Sequence, residues 1–189
     1  MRIDDYVSAF HSRFPFLDPS ILPWQITTQL PFRNWDGVLV HNAATIEAGA
    51  MVKPPAVISE GCFIASTAYV RGGAFLDQGV TIGPGCELKT TVIMAGSTLA
   101  HFNFVGDSII GSDVNMEAGA VVANHHNDRG DKEVRIYIRG QEIRTGVDKF
   151  GAVIGDHCRL GANSVLSPGT VLERNEVVGR LVLVNQAHR

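Results

Sequence analysis

Aliphatic residues return every six positions along most of this chain. Val40, Ile46, Val52, Ile58, Ile64, Val70, Leu76, Ile82 and Leu88 give nine matches in nine places. Chance would produce such a run on the order of once in 10⁵ sequences. The frame slips by one residue to Ile93, Leu99 and Val105, and by one more to Ile110, Met116 and Val122. After a gap it resumes at Ile154, Leu160, Leu166, Leu172, Val178 and Val184. Four residues behind runs a second column: Ala44, Ala50, Ala56, Cys62, Ala68, Ala74, Val80, Cys86 and Val92, nearly all small. Gly49, Gly61, Gly73, Gly79 and Gly85 each precede a small residue, where a turn needing φ > 0 suits glycine. One large residue, one bend and one small residue per hexad predict a short strand and a corner. Three hexads predict a triangular coil, and stacked coils an all-β parallel β-helix of hexapeptide repeats.

Two segments leave the period. Residues 1–39 predict a short N-terminal cap segment, helical then extended, ahead of a β-helix domain over 40–189. Tyr6, Val7 and Phe10 lie at helical spacing between Asp4 and Ser12. Pro15, Pro19, Pro23 and Pro31 then break regular structure, leaving Trp24 and Trp35 to pack over the open end of the first coil. The second insertion is 124–150, where Val134, Ile136 and Ile138 alternate with Arg135, Tyr137 and Arg139 before Gly140. That alternation predicts a projecting hairpin arm, too small to hold itself and so expected against another subunit.

Composition narrows the class. The chain has 189 residues, 45% hydrophobic and 19% charged, enough for one domain with a real core. A net charge of −3, with six basic and five acidic residues in the arm, gives no field for nucleic acid. Cys62, Cys86 and Cys158 are odd in number and lack CxxC spacing, and all fall in the small inward column. They predict core filler, neither disulfides, zinc ligands nor nucleophiles. No membrane-length apolar run occurs, and acids interrupt the first ten residues, so a cytoplasmic location is expected.

Chemistry enters through AHFNFVGDSIIGSDVNMEAGAVVAN at 100–124, YVRGGAFL from Tyr69, ELK at 87–89, DKEVRIYIRGQ and FGAVIGDH. The first resembles HLxYVGDxxIGxxVNxGAGTxxxN of the acetyltransferase half of bifunctional sugar-1-phosphate nucleotidylyltransferases. PWQI at 23–26 is similar to the PWD linker before that half. The resemblance implies a left-handed coil, which periodicity alone does not give. It further implies an acyl-CoA-dependent acyltransferase, with acetyl-CoA or another acyl-CoA as co-substrate. The acceptor would be an amino- or hydroxy-sugar phosphate or nucleotide sugar, and the assembly a homotrimer.

Residue by residue, His101 stands at the family's general-base position, a chemistry suited to an imidazole. Asn124 matches a catalytic asparagine near the sugar amine. Arg71, Lys89, Phe104, Asn115, Lys132 and Arg135 match acceptor-binding positions, and Ala118, Gly119 and Ala162 the backbone that contacts the donor. Neither Arg71 nor Lys89 has an evident acidic partner in its own hexad, which favours phosphate binding. Asn115 has a second reading, since Asn tolerates φ > 0 at a corner. Two residues depart from the pattern: Phe104 replaces a tyrosine, and Glu117 replaces the first glycine of a GAG turn, placing bulk and negative charge beside the thioester path. They keep open an alternative, a non-catalytic scaffold or ligand-sensing protein. No metal is expected, because His125, His126 and His157 lack the spacing of a three-histidine zinc site. Phe63, Tyr69, Phe75, Phe102 and Phe104 lie outside both inward columns and predict a surface buried between subunits.

Overall fold

The computed structural model describes residues 1–30 and 35–186. Its body is a left-handed parallel β-helix whose coils contribute to three seven-stranded sheets. We call them A (from Val38–Val40 to Thr170–Leu172), B (from Thr45–Ile46 to Val177–Val178) and C (from Met51–Val52 to Leu183–Val184). The six-residue column becomes a ladder inside each sheet. In sheet A, Ile58, Leu76, Ile93, Ile110, Ile154 and Leu172 stack in register. From Ile58 onward every residue of the column is buried, whereas Val40 and Ile46 of the first coil are exposed. The five glycines all take positive φ, between +67° and +93°.

Both frame slips fall on the corners that lead from sheet C to sheet A. Those corners are one residue shorter, and Thr90 and Asp107 adopt left-handed conformations there. The tighter turn needs an extra bond, which an inward hydroxyl provides. Thr91 Oγ1 donates to Lys89 O at 2.9 Å, and Ser108 Oγ to Gly106 O at 2.7 Å. The slip therefore moves the small column too. Thr91 takes the inward place expected for Val92, and Val92 turns outward beside Phe75. Asn103 is likewise buried, donating to Glu117 O and Ala120 O.

The N-terminal segment does not close the first coil. Outward positions of sheet A carry Val57, Phe75, Val92, Ile109, Val153 and Val171, making this sheet apolar on both faces. Such a face must be covered, and residues Ile3 to Leu30 cover it along the flank. The Phe14 ring meets Phe75 at 4.9 Å, and Trp24 meets Phe150 at 6.2 Å. Ser8 donates through both N and Oγ to Asp156, while Arg13 pairs with Asp77 at 3.1 Å. The expected helix between Asp4 and Ser12 is a 3₁₀ turn at Ile3–Asp5 followed by a helix at Phe10–Arg13. The stretch expected to be extended contains a helix at Pro23–Gln29, started by proline at its first turn. Trp35 is 44% exposed, and Pro31 lies outside the described residues.

The arm forms the expected hairpin, Arg135–Ile138 against Gln141–Arg144, through a turn with positive φ at Arg139 and Gly140. Its expected dependence on another subunit is corrected. Val134 and Ile136 are fully buried within this chain, in the same cluster as Phe150 and Val171. Phe75 is likewise covered by Phe14, not left for a subunit contact. Among the described residues no helix is long and apolar enough to cross a membrane.

Cys62, Cys86 and Cys158 are buried and unpaired, and desolvation raises each thiol pKa, that of Cys158 to about 11. Thiolate is the reactive form. Ellman's reagent should therefore find no fast thiol in the folded protein and three after denaturation; one fast equivalent in the native state would refute the core-filler assignment.

Candidate functional site

The proposed residues gather on two edges of the triangular prism, with sheet C between them. On the edge joining sheet B to sheet C, His101 follows the inward Leu99 and its side chain is exposed. Its carbonyl accepts Gly119 N–H at 2.9 Å, tying the residue to the next coil by backbone alone. Beside it Phe102 is 71% exposed at φ +52°, an uncommon conformation for an aromatic residue. Gly85 lies beneath it: a Cβ there would meet the Phe102 ring at 2.4 Å. Glu117, Ala118, Gly119 and Ala162 continue the same edge.

The backbone expected to contact a donor is only partly available. Gly119 N–H is used by His101, and Asn163 N–H donates to Ala118 O at 3.0 Å. Ala162 N–H donates to the Glu117 carboxylate at 2.8 Å. The same carboxylate accepts Arg180 Nε and Nη2, both at 2.7 Å. The Arg180 bonds, with the Ala162 bond next, hold the Glu117 pKa at about 2. A lowered acid pKa means that the ionised, clasped form is kept above the ordinary value near 4.5 and is lost as pH falls toward 2. Glu117 is therefore not a free negative charge on this edge. Of the three candidate residues, Ala118 alone keeps an amide with no hydrogen bond among the described residues. Next to the clasp lies a groove of about 280 Å³, lined by Asn115, Glu117, Arg159, Gly161, Gly179 and Arg180 among others.

The edge joining sheet C to sheet A holds Arg71, Lys89 and Asn124. Arg71 and Lys89, expected to have no acidic partner in their own hexads, each find one on the next coil. Arg71 Nη1 donates to Glu87 at 2.9 Å. Lys89 Nζ donates to both oxygens of Asp107, at 2.9 and 3.2 Å. Asn124 Nδ2 also donates to Asp107, so one buried carboxylate holds an expected acceptor-binding lysine and the expected catalytic asparagine. Asp107 was missed in the sequence, although the shortened corner that contains it was visible. A pocket of about 450 Å³ opens at this place, lined by Thr28, Lys89, Asp107, Asp148 and Lys149 among others. Thr28 comes from the flanking segment and Asp148 and Lys149 from the end of the arm, three residues the sequence did not single out.

Phe104 stands between the two edges, facing outward on sheet C between Glu87 and Val121. Asn115 is on a strand of sheet B, exposed between Thr98 and Arg159, so the corner reading of this asparagine is withdrawn. The corners use Asn163 and Asn175 for positive φ instead. Lys132 is half-buried at the arm, while Arg135 is engaged by Asp131 at 2.7 Å and Glu142 at 3.3 Å. Among the described residues no cluster of side chains is arranged to hold a metal ion.

Comparison with known proteins finds similarity over about half of the chain. No protein-family model matches the chain. A bifunctional sugar-1-phosphate nucleotidylyltransferase/acetyltransferase from Sulfurisphaera tokodaii is 46% identical over 83 residues, 44% of this chain and 20% of that protein. The bifunctional protein GlmU of Methanococcus vannielii is 39% identical over 100 residues, 53% of this chain and 23% of that protein. GlmU of Methanococcus maripaludis is 33% identical over 99 residues, with 52% and 23% covered. The chain thus spans about a quarter or less of the length of these relatives. The resemblance read from the motifs is matched by curated proteins that carry it.

Proposed function

We propose that the protein is an acyl-CoA-dependent acyltransferase, with acetyl-CoA as donor and an amino- or hydroxy-sugar carrying phosphate or a nucleotide as acceptor. The observation that carries the reading is the 46% identity, over 83 residues, to a protein named as a bifunctional sugar-1-phosphate nucleotidylyltransferase/acetyltransferase. The donor supplies an activated acyl thioester. His101, exposed and bound only through its carbonyl, accepts the proton as the acceptor nitrogen or oxygen bonds to the acyl carbon and the carbon–sulfur bond breaks. Ala118 N–H, free to donate, suits an acyl oxygen on the same edge as His101. Lys89 and Asn124, held by Asp107, orient the acceptor, with Lys132 near the arm.

The two edges also argue for an assembly. His101 and the Lys89–Asp107–Asn124 group lie on different edges of one prism, so a shared site needs the second group from another copy of the chain. A closed ring of three copies brings such edges together and covers the exposed Phe102. The alternative, a scaffold or ligand sensor, draws on the engaged Arg71 and the clasped Glu117. Incubation of the purified protein with acetyl-CoA and a panel of amino-sugar and hydroxy-sugar phosphates separates the two, read as acceptor-dependent release of CoA thiol. Light scattering should give about three times the chain mass of 20.4 kDa. Absence of transfer with every acceptor would favour the sensor reading, and a monomer at micromolar concentration would remove the shared site.

A further inference from the structure

Glu117 sits where the donor should lie, and this inference rests on the acyltransferase reading of that groove. We infer that Glu117 is a built-in competitor of the acyl donor and sets its affinity: clamped by Arg180, its carboxylate occupies the Ala162 amide and must swing away before a donor can use that part of the edge.

The contacts give the competitor its strength. Ala162 N–H, Arg180 Nε and Arg180 Nη2 donate to one carboxylate at 2.8, 2.7 and 2.7 Å. Such charge-assisted, bidentate bonds are stronger than the neutral bond a thioester carbonyl or pantetheine amide could offer to Ala162 N–H. Glu117 N donates to Leu160 O at 2.8 Å within the coil ladder, so only the side chain is free to move. That side chain is 37% exposed and that of Arg180 72%, which lets water take over the released charges. Most corresponding corner positions are small: Ala65, Gly83, Ala100, Gly161 and Gly179 each follow an inward residue of sheet B.

The first coil supplies a control for a purely structural role. Glu47 holds the same corner position and accepts Ser66 N–H at 2.7 Å, so the amide bond alone is a way of fastening one coil to the next. What Glu117 adds is the arginine of the following coil, which clamps the carboxylate beside the 280 Å³ groove. The structural role and the competitor role therefore predict opposite effects on donor affinity when Glu117 is removed.

The test is calorimetric titration with CoA of the wild type, Glu117→Gly and Glu117→Gln, with hydrogen exchange at the Ala162 amide read in parallel. Loss of the clasp should tighten CoA binding about tenfold in Glu117→Gly, the scale of one charge-assisted hydrogen bond. Glu117→Gln keeps an acceptor for Ala162 N–H but loses the ion pair, so it should fall between and cover a folding failure of the glycine variant. Ala162 exchange should be fast in ligand-free Glu117→Gly and slow again once CoA binds. Equal or weaker CoA binding in both variants would overturn the competitor role while leaving the donor reading in place. Failure of all three proteins to bind CoA would overturn the donor reading and the competitor with it.

Discussion

His101→Ala should lower acyl-transfer turnover by about 10²- to 10⁴-fold, the range typical of general-base assistance, while the melting temperature stays near that of the wild type. The second half of this expectation follows from where the residue stands. The imidazole is exposed, and the bond that ties His101 to the next coil runs from its carbonyl to Gly119 N–H, which alanine retains. Substitution thus removes no core contact, and surface changes of this kind usually stay within about 0.5 kcal/mol. A change in turnover without a change in stability isolates chemistry from folding. CoA binding should also persist, because the groove beside Glu117 is built from other residues. A wild type that transfers acyl groups beside an equally active His101→Ala would take His101 out of the reaction and leave the transferase reading intact.

The coil architecture was legible because a β-helix repeats one problem at every corner. Each hexad must fill one large inward place and one small one, so period six shows through any substitution that keeps the sizes. What the period could not convey is the outward face of each sheet. Val57, Phe75, Val92, Ile109, Val153 and Val171 form an apolar outward ladder only after coils are stacked, and their spacing varies with the slips and the arm. The need to cover that ladder, not the open coil end, explains the N-terminal segment and the docked arm. The partners of Arg71 and Lys89 were hidden for the same reason. Glu87 and Asp107 are distant in sequence and become neighbours one coil away.

The candidate site was legible in its motifs but not in its bonding. His101 and Asn124 stand out through resemblance, whereas the bond from Ala162 to Glu117 requires two residues 45 positions apart to meet. One physical signal was present and unused. Both slips and the arm interrupt the helix at the same edge, in three successive passages from sheet C to sheet A: after Leu88, after Val105 and after Val122. A regular repeat that breaks three times at one edge marks the place where something besides packing is being served. That place holds Lys89, Asp107 and Asn124.

Asp107→Ala should destabilise the protein by about 3 kcal/mol, because it strips the partner from a partly buried cation. Lys89 is one-quarter exposed and donates twice to Asp107, and Asn124 donates to it as well. Removing the carboxylate leaves the Lys89 ammonium without its counter-charge and the Asn124 Nδ2 without its acceptor. Replacing both ions by apolar residues costs far less than orphaning one. The pair Lys89→Met with Asp107→Leu should therefore recover most of the lost stability in urea denaturation. It should not recover activity, because Lys89 is the cation proposed to meet the acceptor and Asn124 would have lost its anchor. Asp107→Asn gives a third point, keeping a side chain of the same size but removing the charge, and it should raise the acceptor KM more than it lowers kcat. Activity that returned with stability in the double variant would make both Lys89 and Asp107 structural, and that result would remove this edge from the acceptor site.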